Sequence, residues 1–175
     1  VVLIADEFDI AFRMGKLDDS NFIARKLIDV EMGTFATPSY LETHGNPSHP
    51  KDLEKHVCLT GSVTRWAFED TNTKQSTEHQ IRGQLRCKSG RVMIKAALAG
   101  NGIIRVPALY CQQELQTGKL KEVFTDWSIP SVEFSLLYHH DRHQPKRIER
   151  DCRRRDRWCS YLDRHAPSTR CKRPR

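Results

Sequence analysis

Short apolar runs and helical segments alternate along most of this 175-residue chain, and this alternation restricts its possible folds more than any other feature. Strand-like runs are predicted at residues 7–14, 22–36, 56–60, 65–69, 80–87, 102–106, 120–124 and 133–139. Helices are predicted at residues 38–44, 90–99 and 107–117, with a single helical turn at 51–55. Strands that alternate with helices of about ten residues predict an α/β fold with largely parallel sheets.

The residue patterns inside these segments give further expectations. Residues 7–14 should form a buried strand, and Gly33 should interrupt the extended run in which it lies. Residues 80–87 alternate apolar and polar side chains, so one face of that strand should be buried and the other solvated. Residues 70–77 are polar and should form a loop. The helix predicted at 90–99 carries an apolar stripe of Val92, Met93, Ala96 and Ala97.

The start of the first helix has residues suited to binding an anion. Thr37 can cap the helix, and Pro38 fits its first position, where a missing N–H costs nothing. The backbone N–H groups of Ser39 and Tyr40 are then expected to be free, and such groups bind anions together with the helix dipole. The alternative interpretation is an ordinary N-cap without a ligand.

The start of the second helix predicts a similar site. Ser89 and Gly90 begin this helix, so the N–H groups of Arg91 and Val92 are expected to be free for an anion. Arg13, at the end of the first strand, can supply a charge-assisted contact to a carboxylate. Ser89 can equally be an ordinary cap. The acidic residues with which Arg13 can pair instead are Asp9, Asp18 and Asp19.

Basic residues are concentrated at the C-terminal end of the chain. The formal net charge is +7, but residues 142–175 hold 13 Lys/Arg and 4 Asp/Glu, a net of +9, which leaves −2 for the rest. The rest of the chain, residues 1–141, therefore lacks the excess of positive charge that binding to the DNA backbone requires. No helical or strand period follows Ile148, so we expect residues 149–175 to be a disordered or out-of-frame tail.

No motif for catalysis, metal binding or membrane insertion stands out in the sequence. The patterns G-x-S-x-G and H-E-x-x-H and the P-loop are absent, so we expect neither an enzyme nor a cofactor. No run approaches transmembrane length, and no membrane partner is expected. Two groups of residues could suggest a metal but are interpreted as no site: His139, His140 and His143 beside Asp141, and Cys152, Cys159, His165 and Cys171, whose spacing lacks a short Cys knuckle. Free, buried thiols in a reducing compartment are expected for Cys58, Cys87 and Cys111.

Several colinear segments of the chain together resemble the effector domain of LysR-type transcriptional regulators. They cover residues 7 to 148 and lie in one order with matching gaps. The segments are EFDIAFRMGKLDDSNFIARKL (7–27), FATPSYLETHGNPSHPKDLEKHVCL (35–59), the W-x-F strand (66–68), GQLRCKSGRVMIKAALAGNGIIRVP (83–107), L-x-x-G-x-L-x-x-V-x-x-D-W (115–127) and EFSLLYHHDRHQPKRI (133–148). Arg105 departs from the pattern, because its strand is usually apolar in this family.

The resemblance implies an α/β fold like that of type 2 periplasmic binding proteins, with two lobes, two crossover strands and a ligand cleft between the lobes. Residues 1–34 would be a partial lobe I, 35–130 a complete lobe II, and 131–148 a return to lobe I. The N-terminal helix-turn-helix and the first strand and helix of lobe I would be missing. The resemblance also implies that the helix starts at Thr37 and Ser89 both face the cleft.

The function implied by the resemblance is sensing of a small organic anion by a bacterial, cytoplasmic regulator. DNA would be bound only through the N-terminal domain that this chain lacks, and the full-length protein would be a homodimer or tetramer. Two other functions are kept open: a solute-binding protein of a transport system, and a non-functional gene fragment.

Overall fold

The structure is a computed structural model that describes residues 10–15 and 22–139. The chain divides into two compact units, one made of Val1–Val30 with Ser131–Arg175 and the other of Glu31–Pro130. The expectation of a disordered or out-of-frame tail at 149–175 lies outside the described residues. The same holds for His140, His143 and the cysteines of that tail.

The described residues form eleven strands and three α-helices. The strands are β1 (Ile10–Met14), β2 (Phe22–Val30), β3 (Met32–Ala36), β4 (Cys58–Thr60), β5 (Arg65–Asp70), β6 (Ser76–Gln80), β7 (Leu85–Arg86), β8 (Ile103–Pro107), β9 (Lys121–Glu122), β10 (Trp127–Ser128) and β11 (Val132–His139). The helices are α1 (Pro38–His44), α2 (Gly90–Leu98) and α3 (Gln112–Gln116), with 3₁₀ helices at Pro50–Lys55 and Ala108–Cys111.

The first unit contains a three-stranded antiparallel sheet in which β11 lies between β1 and β2. The prediction of a buried first strand is wrong, because the side chain of Phe12 is 64% exposed and that of Met14 is 38% exposed. In the described sheet, β1 is an edge strand that pairs with β11 alone, and Phe12 and Met14 share the face of β1 that is exposed. The ring of Phe12 stacks on Phe134 with 5.8 Å between the ring centroids.

The second unit contains a five-stranded mixed sheet of order β7-β4-β8-β3-β9 and a three-stranded antiparallel sheet of order β10-β5-β6. The prediction of largely parallel sheets is wrong. Among the described strands, only the pairs β4–β7 and β4–β8 are parallel, and the other six pairs are antiparallel. Parallel neighbours need a long crossover connection, whereas a short turn such as that between β5 and β6 can only reverse the chain.

Two apolar clusters cover the opposite faces of the five-stranded sheet. Along β8, Ile104 and Val106 point to the cluster that contains α2, and Ile103 points to the cluster that contains Trp66 and Phe68 of β5. The period of two in side-chain direction places Arg105 on the same face as Ile103. The second unit therefore has a core on each side of this sheet.

The predicted apolar stripe of the second helix is partly wrong. Val92 is 48% exposed, whereas Ile94, which the stripe omitted, is buried with Met93 and Ala97. The helix begins at Gly90, and the spacing of three and four residues among 93, 94 and 97 gives one contiguous face. Ala96 is half-buried at the margin of that face.

The prediction of a single strand at 80–87 is also wrong. Those residues end β6 and form the short strand β7, and Leu85, expected on the buried face, is 42% exposed. The expected loop at 70–77 is shorter, because β5 turns back and pairs with Ser76–Gln80. The carboxylate of Asp70 accepts the backbone N–H groups of Asn72 and Thr73 and closes that turn. Gly33 does not interrupt its run, since the break lies at Glu31 and Gly33 pairs with Val106.

Candidate functional site

The parallel strands of the second unit define the edge at which a ligand is expected. In open α/β sheets ligands bind outside the carboxyl ends of the parallel strands. Strands β4, β7 and β8 run in one direction, and β3 runs against them. The carboxyl edge therefore contains the ends of β4, β7 and β8 together with the start of β3.

The two predicted helix starts lie at opposite edges of this sheet. Ser89 follows the carboxyl end of β7, and Cys87, directly after that strand, donates its N–H to the carbonyl of Thr60 at the end of β4 (2.9 Å). Thr37 follows the end of the antiparallel β3, beside the start of β8 at Ile103. The expectation that both starts face one cleft is wrong, because the direction of β3 reverses the position of Thr37.

The side chain of Thr37 is engaged in capping the start of α1. The Oγ1 atom of Thr37 accepts the backbone N–H of Tyr40 at 3.3 Å and the hydroxyl of Ser39 at 3.2 Å. The expectation that the N–H of Tyr40 is free is therefore wrong. Pro38 stands at the first helical position as predicted, and Thr37 is only 5% exposed. This arrangement is that of a buried structural cap.

We expect Thr37→Val to lower the free energy of unfolding by about 1 kcal/mol, because it keeps the shape of the side chain but removes the capping oxygen. Urea unfolding followed by circular dichroism measures this. Thr37→Ser is the matched control, since it keeps the acceptor and should lose less. A greater loss in Thr37→Ser than in Thr37→Val would mean that packing of the methyl group, which valine keeps and serine lacks, matters more than the cap.

The start of α2 is more open than that of α1. Ser89 and Arg91 are exposed, and Gly90 is half-buried against the ring of Tyr110. The prediction that Ser89 caps the helix through its side chain is wrong, because that side chain makes no capping hydrogen bond. Instead, its backbone N–H donates to Sγ of Cys87 at 3.4 Å.

Arg13 belongs to the first unit, whereas both helix starts belong to the second. It lies on β1 opposite Ser135 of β11 and is half-buried. The alternative partners predicted for it, Asp9, Asp18 and Asp19, lie outside the described residues.

Arg105 is a functional candidate that the sequence marked only as unusual. It is the middle residue of β8 and lies directly opposite Thr34 of β3. Burial lowers the pKa of the Arg105 guanidinium to about 9, while the nearby Cys58 opposes this shift. Burial raises the pKa of the Cys58 thiol to about 12. The only sequence signal for this site was a charged residue in an apolar strand.

The imidazole of His56 lies beside the side chain of Tyr40 in α1. The hydroxyl of Tyr40 accepts the N–H of Val57 (2.9 Å) and lies 3.4 Å from Nδ1 of His56. Burial lowers the pKa of His56 below its usual 6.5, and the charges of His44 and Lys55 act in the same direction, with Asp52 opposing them.

We expect the melting temperature to fall as pH decreases from 7 to 5. A histidine with a lowered folded-state pKa binds its proton more readily in the unfolded chain, so acid favours unfolding. Thermal unfolding across this range measures the effect, and His56→Gln should flatten the slope. Burial also lowers the pKa of His79, so the slope should shrink rather than vanish. An unchanged slope in His56→Gln would contradict the assignment to His56.

The described part of the chain has neither a membrane-spanning helix nor a group of side chains arranged to bind a metal. Residues 10–15 and 22–139 include no helix long and apolar enough to cross a membrane. Among the same residues, no group of three or more His, Cys, Asp or Glu side chains is arranged to hold a metal ion.

The fold is that of the regulatory domains of LysR-type regulators, so the predicted two-lobed α/β class of type 2 periplasmic binding proteins is confirmed. The chain matches the full-length Vibrio cholerae virulence activator AphB with a TM-score of 0.71 and 30% identity, covering 83% of this chain and 52% of that one. It matches the CrgA regulatory domain of Neisseria meningitidis with a TM-score of 0.67 and 27% identity, covering 91% and 74%.

The family model for the LysR substrate binding domain matches residues 2–150, and the chain belongs to this family. Among curated proteins, the HTH-type transcriptional regulator CrgA of Neisseria meningitidis serogroup B is 31% identical over 145 residues, which are 80% of this chain and 48% of that protein. An uncharacterized HTH-type transcriptional regulator of Haemophilus influenzae is 27% identical over 148 residues, 83% of this chain and 51% of that protein. The chain spans about half the length of these curated relatives. The predicted membership in the LysR family is thus confirmed.

Proposed function

We propose that this substrate-binding domain senses a small organic anion, which binds at the carboxyl edge of the five-stranded sheet in the second unit. The observation that carries the proposal is the start of α2, where Ser89, Gly90 and Arg91 follow the parallel strand β7. A nine-residue helix directs its first N–H groups and the positive end of its dipole towards this edge. Arg91 adds an exposed positive charge.

The other residues predicted to bind ligand receive different roles in this proposal. Arg13, which belongs to the first unit, stays a prediction as a side chain that can make a charge-assisted contact to a carboxylate. Thr37, Pro38 and Ser39 serve as the start of α1, because their hydrogen bonds are used within the cap and they lie at the other edge of the sheet.

In the full-length regulator, we propose that anion binding shifts the arrangement of a cytoplasmic homodimer or tetramer. DNA is contacted by a separate domain, and the body of this chain has the charge expected for that division, with a net of −2 over residues 1–141. Ligand binding can control DNA binding only if it favours one arrangement of the subunits over another.

Thermal unfolding of the purified chain with a panel of small carboxylates tests the sensing function. A ligand that binds only the folded state raises the melting temperature in proportion to the logarithm of its concentration. We expect one class of acid to do so, and Arg91→Gln to reduce the shift. Lys119→Gln, which replaces an exposed lysine after α3, is the matched control, because it removes the same positive charge away from α2.

The same experiment separates the two other functions. A cooperative transition that no carboxylate shifts, but that a neutral solute raises, would favour a solute-binding protein. The absence of any cooperative transition would favour a gene fragment without independent function.

A further inference from the structure

The guanidinium of Arg105 is held in one orientation by three contacts from β5. Its Cζ atom lies 4.6 Å from the ring centroid of Trp66 and 4.1 Å from that of Phe68. Its Nη1 atom donates to the carbonyl of Ala67, between the two rings, at 3.1 Å. Two cation–π contacts and a hydrogen bond remove most of the freedom of a long side chain, so the group is preorganised.

The remaining edge of this guanidinium is unpaired. Nε and Nη2 are shielded from solvent and have no hydrogen-bond partner among the residues that the structure describes. The ion pairs formed within the described ranges do not include Arg105. A buried cation with two unsatisfied donors is costly, which is why such groups are rare in proteins unless something completes them.

The geometry of the unpaired edge indicates what would complete it. The N–H groups on Nε and Nη2 form the parallel fork that matches the two oxygens of a carboxylate. The hydroxyl of Thr34, on the neighbouring strand, is also buried and lacks a partner among the described residues. Directly opposed residues on antiparallel strands have Cβ atoms about 5 Å apart, so the three unpaired donors of Thr34 and Arg105 belong to one neighbourhood.

We propose that Arg105 and Thr34 form a carboxylate-binding site in the second unit, on the face of the five-stranded sheet that lies towards β5. The two oxygens of one carboxylate accept the fork of Arg105, and one of them also accepts the hydroxyl of Thr34. This inference rests on the proposed sensing function and narrows its ligand to a small acid with a free, planar carboxylate. One positive charge and three donors suit a singly charged group better than a phosphate.

NMR spectroscopy of the ¹⁵N-labelled chain tests this site directly. The arginine Nε–H signals are followed during titration with sodium formate, acetate and benzoate, and with sodium chloride at equal ionic strength. Arg105→Lys identifies the Arg105 signal by its loss and keeps the charge without the fork. Arg86→Lys, at the exposed end of β7, is the matched control.

We expect the Arg105 signal to shift and saturate with at least one carboxylate and to remain still with chloride. In thermal unfolding, Arg105→Lys should weaken binding of that acid about tenfold or more, because a charge-assisted bidentate contact is lost. Thr34→Val should weaken it by a smaller factor, and Arg86→Lys should leave it unchanged.

Two results would overturn the site. The first is an Arg105 signal that none of the three acids moves, which would mean that the fork is hydrated or simply unpaired. The second is an acid that stabilises the chain equally with and without Arg105→Lys. In that second case the proposed sensing function would survive and only this site would fail. Conversely, saturation at Arg105 with no effect of Arg91→Gln would retain the carboxylate site and remove the role of α2.

Discussion

Gly102→Ala is expected to lower the free energy of unfolding of the second unit by about 3 kcal/mol or more. Gly102 has a φ of +136°, a conformation that residues with a side chain rarely adopt. A Cβ atom at this position would also overlap the carbonyl oxygen of Val57. That oxygen accepts the N–H of Ile103 at 2.8 Å, so moving it away would weaken the start of β8 beside β4.

Gly100→Ala is the matched control for this prediction. Gly100 also has a positive φ, +78°, but a Cβ atom there would meet nothing within 4 Å. Its replacement should cost only about 1 kcal/mol, the usual penalty for a left-handed backbone. Urea unfolding of both variants separates backbone strain from overlap with the Val57 carbonyl. A loss in Gly102→Ala no greater than that in Gly100→Ala would show that the backbone at Val57 yields at little cost.

Local chemistry explains which parts of the fold were predictable from the sequence. Helix α1 begins and ends as predicted, because Thr37, Pro38 and Gly45 act within a few residues of their own positions. The direction of β3 was not predictable in this way, since it depends on pairing with β8, about 70 residues further along the chain. The same non-local pairing puts Thr37 and Ser89 at opposite edges of the sheet.

Exposure was the other property that the local pattern did not determine. Phe12, Leu85 and Val92 are apolar and occupy positions that alternation or helical spacing assigned to a buried face. Periodicity tells which side chains share a face, but only the neighbouring elements decide whether that face is covered. The faces of β1 and β7 that carry Phe12 and Leu85 are exposed, although each strand pairs with a neighbour along one edge.

The candidate site shows the same division between local and distant information. The position of the start of α2 follows from Ser89 and Gly90 themselves, since the helix begins at Gly90 as predicted. The site of Arg105 does not, because its guanidinium is oriented by Trp66, Phe68 and the carbonyl of Ala67, which is 38 residues away in the sequence. A charged residue in an apolar strand could be noticed in the sequence, but its unpaired fork required the tertiary contacts.

Trp66→Ala is expected to lower the free energy of unfolding by about 4 kcal/mol, since truncation of a fully buried aromatic residue leaves a large cavity. Trp66 is 2% exposed and packs in the cluster with Phe68 and Ile103. Trp127→Ala is the comparison within this chain, because Trp127 is only partly buried and should lose less. Urea denaturation of the two variants gives both values.

A double-mutant cycle then separates packing of Trp66 from its contact with the Arg105 cation. In the Arg105→Leu background the ring still fills its space but has no cation below it, so Trp66→Ala should cost about 1 kcal/mol less than in the wild type. That difference is the coupling energy that holds the guanidinium in place. Costs that agree to within about 0.4 kcal/mol would mean that the Trp66 ring only packs beside Arg105. The orientation of the guanidinium would then depend on Phe68 and the hydrogen bond to Ala67, and a carboxylate would meet a fork that is less firmly preorganised.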